Sequence, residues 1–455
     1  MRMVRKVGWT ALLVVTIAGT ANAADVALSE FRVTLESLYL EAQSQSPALL
    51  AAQAKSRRSE ALKDAATGRL LPQLSFQSSL SRTYYRNDLN SAAYDGKRAG
   101  LTLSQALYDP AVSAGVDRSQ QLVEQTRSET VAARHRTANA LVERYFAVIA
   151  AEERAELWAE QVSVTETNLE QVKSLLERQL ARVTDRLALE AQVALLRAQL
   201  LEAENEILIT RESLAELVGY TPTARFARLR PDLNLQELAA VGPFEQLLDD
   251  ALRSNPDVTA KRAAVAVQRA VLDEAQSGHK PKLAAQATAD YSNIGYGNAP
   301  SSNTRSGTIG LTLSVPIFSG GSTSARIQAA LEELNIAEQE LELTQLRIKR
   351  ELRISLANLL SAASRIEASQ TAITSTEQAV EAAKNSFSYG ITNIVDVVNR
   401  ESDLFESRSE LNRAKYDFIV SYISLLALRN ELSGDSIQTI DALLTQNGSA
   451  APRQS

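Results

Sequence analysis

Hydrophobic and polar positions alternate along this chain with two different periods. Leu74, Phe76 and Leu80 alternate with Gln73, Ser75, Gln77, Ser79 and Ser81. Leu101, Leu103 and Leu107 alternate with Thr102, Ser104 and Ala106. Ile309, Leu311, Leu313, Val315 and Ile317 alternate with Thr308, Gly310, Thr312, Ser314 and Pro316. A fainter pattern sets Leu283, Ala285, Ala287 and Tyr291 on one side. A period of two puts successive side chains on opposite faces of a strand. It predicts four strands, at about 73–86, 98–108, 282–296 and 307–317. Runs of about ten residues suit a membrane barrel; the half-buried sheet of a soluble domain alternates the same way. The polar segments 87–98 and 293–305 read as long loops. Tyr84, Tyr85, Tyr94, Tyr291 and Tyr296 lie near them as a candidate aromatic girdle.

Elsewhere the period is helical. Ile327, Leu334, Leu341 and Ile348 recur every seven residues. Leu331 and Leu352 take the complementary position, and Glu338 and Gln345 interrupt that second seam. Between Val116 and Val218 there is no Gly or Pro; between Ser322 and Ser433 there is no Pro and one glycine, Gly390. Either residue costs a helix interior about 1–3 kcal/mol, so these gaps predict very long helices. A straight helix from Val116 to Arg178 would span roughly 95 Å. Spacing alone leaves a soluble coiled coil open.

The chain also repeats itself. Ser46-Pro47 returns as Asn255-Pro256, and Leu71-Pro72-Gln73-Leu74 as Lys280-Pro281-Lys282-Leu283, both at an offset of 209. The run Gly100-Leu101-Thr102-Leu103-Ser104 returns unchanged as Gly310-Leu311-Thr312-Leu313-Ser314 at an offset of 210. Thr184-Asp185 answers Val395-Asp396, and Leu217-Val218-Gly219 answers Leu432-Ser433-Gly434. Ordered matches at a slowly drifting offset point to duplication. The expected organisation is a first repeat over 24–220, a connector over 221–243, a second repeat over 244–434 and a polar, disordered tail over 435–455. Each repeat reads helix, two strands, long helix, helix.

Residues 1–23 read as a secretory signal: Arg2, Arg5 and Lys6, then an apolar stretch, then Ala21-Asn22-Ala23. No later segment has 18 consecutive apolar residues, so a membrane-resident form would rely on its strands. Four strands cannot close a membrane barrel, because the smallest have about eight and an open edge in lipid leaves backbone groups unsatisfied. Membrane residence therefore requires an oligomer.

Composition narrows the chemistry. A net charge of −6, without a basic run, argues against nucleic acid as a partner. The absence of cysteine excludes disulfides, thiolate metal sites and thiol catalysis. Two histidines, His135 and His279, are too few for a histidine metal cage. Gly320-Gly321 lacks the lysine and further glycines of a phosphate loop, and no nucleophile elbow is present. No cofactor, no metal and no enzymatic activity are expected.

From Thr34 to Gly434 the chain resembles the TolC family of outer-membrane channels. The resemblance rests on the Asn255-Pro256 helix start, the strand start at 71–74 and the strand-to-helix segments 100–108 and 311–320. It also rests on the turn from Tyr389-Gly390 to Asp396 and on the run Ala414-Lys415-Tyr416-Asp417. It implies a mixed fold, α plus membrane β. Three chains share one barrel of twelve strands in the outer membrane, and twelve helices form a tunnel across the periplasm. It further implies contact with outer-membrane lipid, a periplasmic adaptor (a membrane fusion protein) and an inner-membrane pump of the ABC or RND type. The cargo would be proteins, by type I secretion, or small molecules, by multidrug efflux. By position Asp396 matches an acidic ring at the periplasmic constriction, and Asn399 stands where a second ring Asp occurs. Asp185 matches an acidic link residue of the first repeat. Phe387 replaces the link's usual Tyr, Thr392 its usual Arg, and Gln179 the glycine of the first turn. The link is therefore not expected in its usual form. A periplasmic coiled-coil adaptor or structural protein stays open as the alternative.

Overall fold

Prolines stand where this chain changes structure. Pro47, Pro110 and Pro256 each occupy the first position of a helix, where a missing N–H breaks no bond. Asn255 caps its helix by accepting from the Asp257 amide at 2.9 Å. Asp109 does the same for Ala111 and Val112. A computed structural model describes residues 34–444, apart from 87, 89–90, 225, 231–234, 239–240, 297–298, 433 and 443. The expected signal, 1–23, lies outside the described residues.

The first half runs α1 (Leu35–Gln45), α2 (Pro47–Gly68), β1 (Gln73–Arg86), β2 (Ser91–Tyr108), α3 (Pro110–Glu177) and α4 (Val183–Val218). A short helix α5 (Leu235–Leu238) follows. The second half runs α6 (Phe244–Ser254), α7 (Pro256–Gln276), β3 (Lys282–Tyr296), β4 (Ala299–Ser314), α8 (Ser322–Ser388) and α9 (Ile394–Leu428), with α10 (Gly434–Ala442) closing the described chain.

The strands form one antiparallel sheet in the order β1-β2-β3-β4. Its register sorts the side chains into two faces. One row reads Leu74, Leu103, Ala287 and Ile309, and the next Phe76, Leu101, Ala289 and Gly307. Between them, on the opposite face, runs Ser75, Thr102, Thr288 and Thr308. Nothing among the described residues covers the apolar face: Leu80 is 80% exposed and Ile309 90%. From Leu283 to Tyr291 this face covers about 20 Å along the membrane normal, for strands rising about 3.4 Å per residue and tilted about 40°.

Three expectations change. The segments 87–98 and 293–305 are not long loops, because β2 already begins at Ser91 and β4 at Ala299. Backbone pairing continues past the apolar belt, and side-chain alternation marks only the belt. β4 stops at Ser314, not 317, since Pro316 has no N–H to pair. The five tyrosines do not form one girdle. Tyr84 and Tyr291 share the apolar face, whereas Tyr85 and Tyr94 register with the polar one.

The two joints between sheet and helices differ. Asp109 alone separates β2 from α3, and Lys282 braces it at 3.4 Å. Residues 315–321 separate β4 from α8, and Gly320 and Gly321 both adopt positive φ.

α3 has 68 residues and α8 has 67, each close to 100 Å long. The α8 seam is also corrected. Ile327, Leu334, Leu341 and Ile348 alternate with buried Ala330, Ala337 and Thr344; Leu331 is exposed. The seam is unbroken, but its second half is made of small residues that carry little hydrophobic signal.

The main core sits part-way along the rods. Tyr145 and Phe146 of α3 and Phe418 of α9 are fully buried there with Leu35 and Leu38. Tyr145 meets Phe226 edge-on at 5.3 Å. The expected disordered tail contributes to this core as far as it is described: Ile437, Ile440 and Leu444 are buried in it. Asp441 accepts from the Leu35 amide at 3.0 Å, tying the end of the chain to the start of α1. Residues 445–455 lie outside the described residues. Ile440→Ala, at a position 2% exposed, is expected to cost about 2–4 kcal/mol, read as a lowered unfolding midpoint in detergent.

Candidate functional site

The helices turn back at the end of the rods farthest from the sheet, and both turns use the same backbone device. At the end of α3 the Leu180 amide donates to Leu175 O at 2.8 Å and the Gln179 amide to Leu176 O at 2.9 Å. At the end of α8 the Ile391 amide donates to Ser386 O and the Gly390 amide to Phe387 O, both at 2.9 Å. This pair of bonds needs a left-handed residue at the turn. Gly390 supplies φ 72° without a Cβ, whereas Gln179 holds φ 62° with one.

Each turn leads into a helix with an aspartate at its third position. Asn393 caps α9 by accepting from the Asp396 amide at 2.9 Å. Arg182 occupies the cap of α4, where no side chain accepts, and Asp185 follows in the first turn. Helix starts favour negative charge, which accounts for a carboxylate at either place without any further role. Arg400 lies 3.9 Å from the Asp396 carboxylate and 2.8 Å from Asp403.

The structure brings all five sequence-named residues to one place. Asp185, Phe387, Thr392, Asp396 and Asn399 line a single cleft of about 1090 Å³ between the two turns. Its floor is a small hydrophobic cluster: Leu169 and Val172 from α3, Leu189 and Val193 from α4, Ala383 from α8, and Ile394, Val397 and Val398 from α9. Phe387 packs against this cluster. The Thr392 hydroxyl is buried and, among the described residues, has no hydrogen-bond partner. The residues at the two link positions thus form no polar bridge to each other in one chain; the turns are joined by apolar packing.

A polar tie nearby escaped the sequence reading. Glu401 on α9, its side chain 12% exposed, accepts from Lys384 of α8 at 2.9 Å and from Asn168 of α3 at 2.7 Å. It joins three helices one step behind the cleft. In sequence it is one charge in a polar stretch, and only the packing of α3 and α8 reveals it. Among the described residues no group of His, Cys, Asp and Glu is placed to hold a metal. His135 lies far from this cleft, and burial lowers its imidazole pKa.

The sequence signature of the outer membrane efflux proteins matches residues 38–220 and 247–431. The chain belongs to this family. TolC of Vibrio cholerae is 26% identical over 418 residues, spanning 90% of this chain and 93% of its own length. The alkaline protease secretion protein AprF of Pseudomonas aeruginosa is 26% identical over 398 residues, spanning 85% and 82%. Among solved structures, the CmeC channel of Campylobacter jejuni superposes with a TM-score of 0.75 at 15% identity, over 90% of each chain. An outer membrane efflux protein places its strands in the outer membrane and extends its helices into the periplasm as an exit channel. That decides against the adaptor alternative and puts the cleft at the periplasmic tip. Among the described residues no helix is long and apolar enough to cross a membrane; the sheet carries the apolar belt.

The two turns of this efflux protein should respond oppositely to substitution. Gly390→Ala puts a Cβ into open space but into a left-handed backbone, at a cost of about 1–2 kcal/mol. Gln179→Gly relieves the same strain, offset by glycine's greater freedom when unfolded, for a net gain of roughly 0.5–1 kcal/mol. Thermal unfolding of the two variants in detergent checks both signs.

Proposed function

We propose that three copies of the chain close one twelve-stranded barrel and one helical tunnel, through which cargo leaves the periplasm without chemical change. The observation that carries this reading is the sheet. β1 and β4 pair on one side only, and lipid tolerates no open edge. Three copies give twelve strands. The helices support the same assembly: Leu187, Leu201 and Leu208 are exposed on α4 at spacings that are multiples of seven, with Leu195 and Ile209 beside them. Such stripes suit packing against a neighbouring chain.

Within that channel, Asp396 of each copy forms an acidic ring at the tip, with Asn399 one turn behind it. Asp185, Phe387 and Thr392 hold the α3–α4 and α8–α9 turns together and set how wide the tip stands. Packing of Phe387 takes the place of a polar link. Three carboxylates facing one constriction favour cations over anions, tempered here by Arg400. Opening is a shift of the helix pairs at this tip, biased by a periplasmic adaptor and an inner-membrane pump of the ABC or RND type. The repeats over 24–220 and 244–434 are two copies of one structural unit, joined through 221–243. Protein cargo is favoured over small molecules. The relatives named for protease secretion, AprF and PrtF, match over 85% and 74% of this chain. The cobalt-zinc-cadmium resistance protein CzcC matches over 59%.

The particle extracted from outer membranes in detergent should carry a protein mass of about 150 kDa, three times the 49.4 kDa chain; a monomer would overturn the shared barrel. In planar bilayers Asp396→Ala should lose cation preference and weaken block by trivalent cations by about tenfold. Unchanged selectivity would remove Asp396 from the ring.

A further inference from the structure

The apolar face of the sheet ends abruptly toward the hairpins, and it ends in positive charge. Beyond the row Phe76, Leu101, Ala289 and Gly307, the first charged or amide side chain on this face is Arg82 on β1, Lys97 on β2, Asn293 on β3 and Arg305 on β4. All but Asn293 are cationic. Arg82, Lys97 and Arg305 are exposed. Lys97 and Arg305 have no carboxylate partner among the described residues. Arg82 approaches Asp95 only at 3.8 Å, both side chains being mostly exposed, and its guanidinium lies 5.8 Å from the Tyr84 ring. Arg86, at the end of β1 and paired with Ser91, stands on the same face one step beyond Tyr84, whereas Arg98 registers with Ser79 on the polar face.

This band sits at the headgroup level of the outer leaflet, because the hairpins lie at the opposite end of the strands from α3 and α8. Cations there escape the desolvation they would suffer at mid-membrane. A guanidinium offers two parallel N–H donors to a phosphate, and a lysine offers a point charge. Tyr291 completes the surroundings: its ring stands on the same face, and its hydroxyl donates to Asn303 Oδ1 at 2.8 Å.

We propose that Arg82, Lys97 and Arg305 form a collar that binds the phosphate groups of anionic lipid in the outer leaflet. Three copies of the chain present nine cations around the barrel. The collar rests on the shared-barrel reading. It fixes the depth of the barrel in the membrane and gathers phosphorylated lipid around it.

The test uses the full chain, reconstituted in phosphatidylcholine nanodiscs doped with fluorescent bisphosphorylated lipid A, with lipid association read by energy transfer. Wild type should hold this lipid in preference to phosphatidylcholine. The variant R82Q/K97Q/R305Q should weaken association more than tenfold, at about fivefold per charge. R82K/R305K, which keeps the charge, should stay within about twofold. The particle mass, measured in parallel, separates loss of the collar from loss of the assembly. If the triple variant does not assemble, R305Q alone decides, with an expected loss of about fivefold. Unchanged association in the neutral variants overturns the proposal. So does displacement by millimolar inorganic phosphate, which would mark a site for free anions.

Discussion

In hydrocarbon every backbone N–H and C=O must find a partner within protein, because no water is there to accept the exchange. This sheet meets that demand only across its three inner seams. The outer edges of β1 and β4, strands of 14 and 16 residues, offer hydrogen-bonding groups that nothing among the described residues answers. Much of the architecture follows from that debt. The proposed barrel, shared between copies, would bring their helices together below it. The helices can then be long, because neighbours from other copies lend them a second packing surface.

The rods meet a different difficulty. A tunnel wall is wet inside and out, so each helix can hide only a narrow stripe. In α8 that stripe alternates Leu or Ile with Ala330, Ala337 and Thr344, which lets helices approach closely but buries little area. Apolar stabilisation is concentrated in two knots, one around Tyr145 and Phe418 and one at the tip around Val172 and Val397. Between them ion pairs cross from helix to helix. Arg365 meets Glu410 and Asp417, and Arg408 meets Glu160 and Glu377. Half-exposed pairs of this kind contribute little each. Their arrangement fixes the register of helices that could otherwise slide.

The sequence was most informative where one physical rule acted alone. Long gaps between Gly and Pro marked α3, α4, α8 and α9, since a helix interior tolerates neither residue well. Alternation marked the strands wherever one face meets lipid. It failed at their ends, because Ser91 to Arg98 pair as strand although polar side chains stand on both faces. It failed again at α8, where alanine carries the seam but reads as neutral, and at 435–444, where Ile437 and Ile440 are too few to show a period. The tip residues could be named only through the resemblance to the TolC family, and the fold brings them to one cleft. Glu401 could not be named, because its importance comes from Asn168 and Lys384, which approach it only in three dimensions.

The two joints beneath the sheet give this duplicated chain unequal mechanics. Between β2 and α3 a single residue, Asp109, is pinned by Lys282 and followed by proline, so twist at one end passes straight to the other. Between β4 and α8 seven residues intervene, two of them glycines in the left-handed region. Of two halves copied from one ancestor, one has become an axle and the other a universal joint.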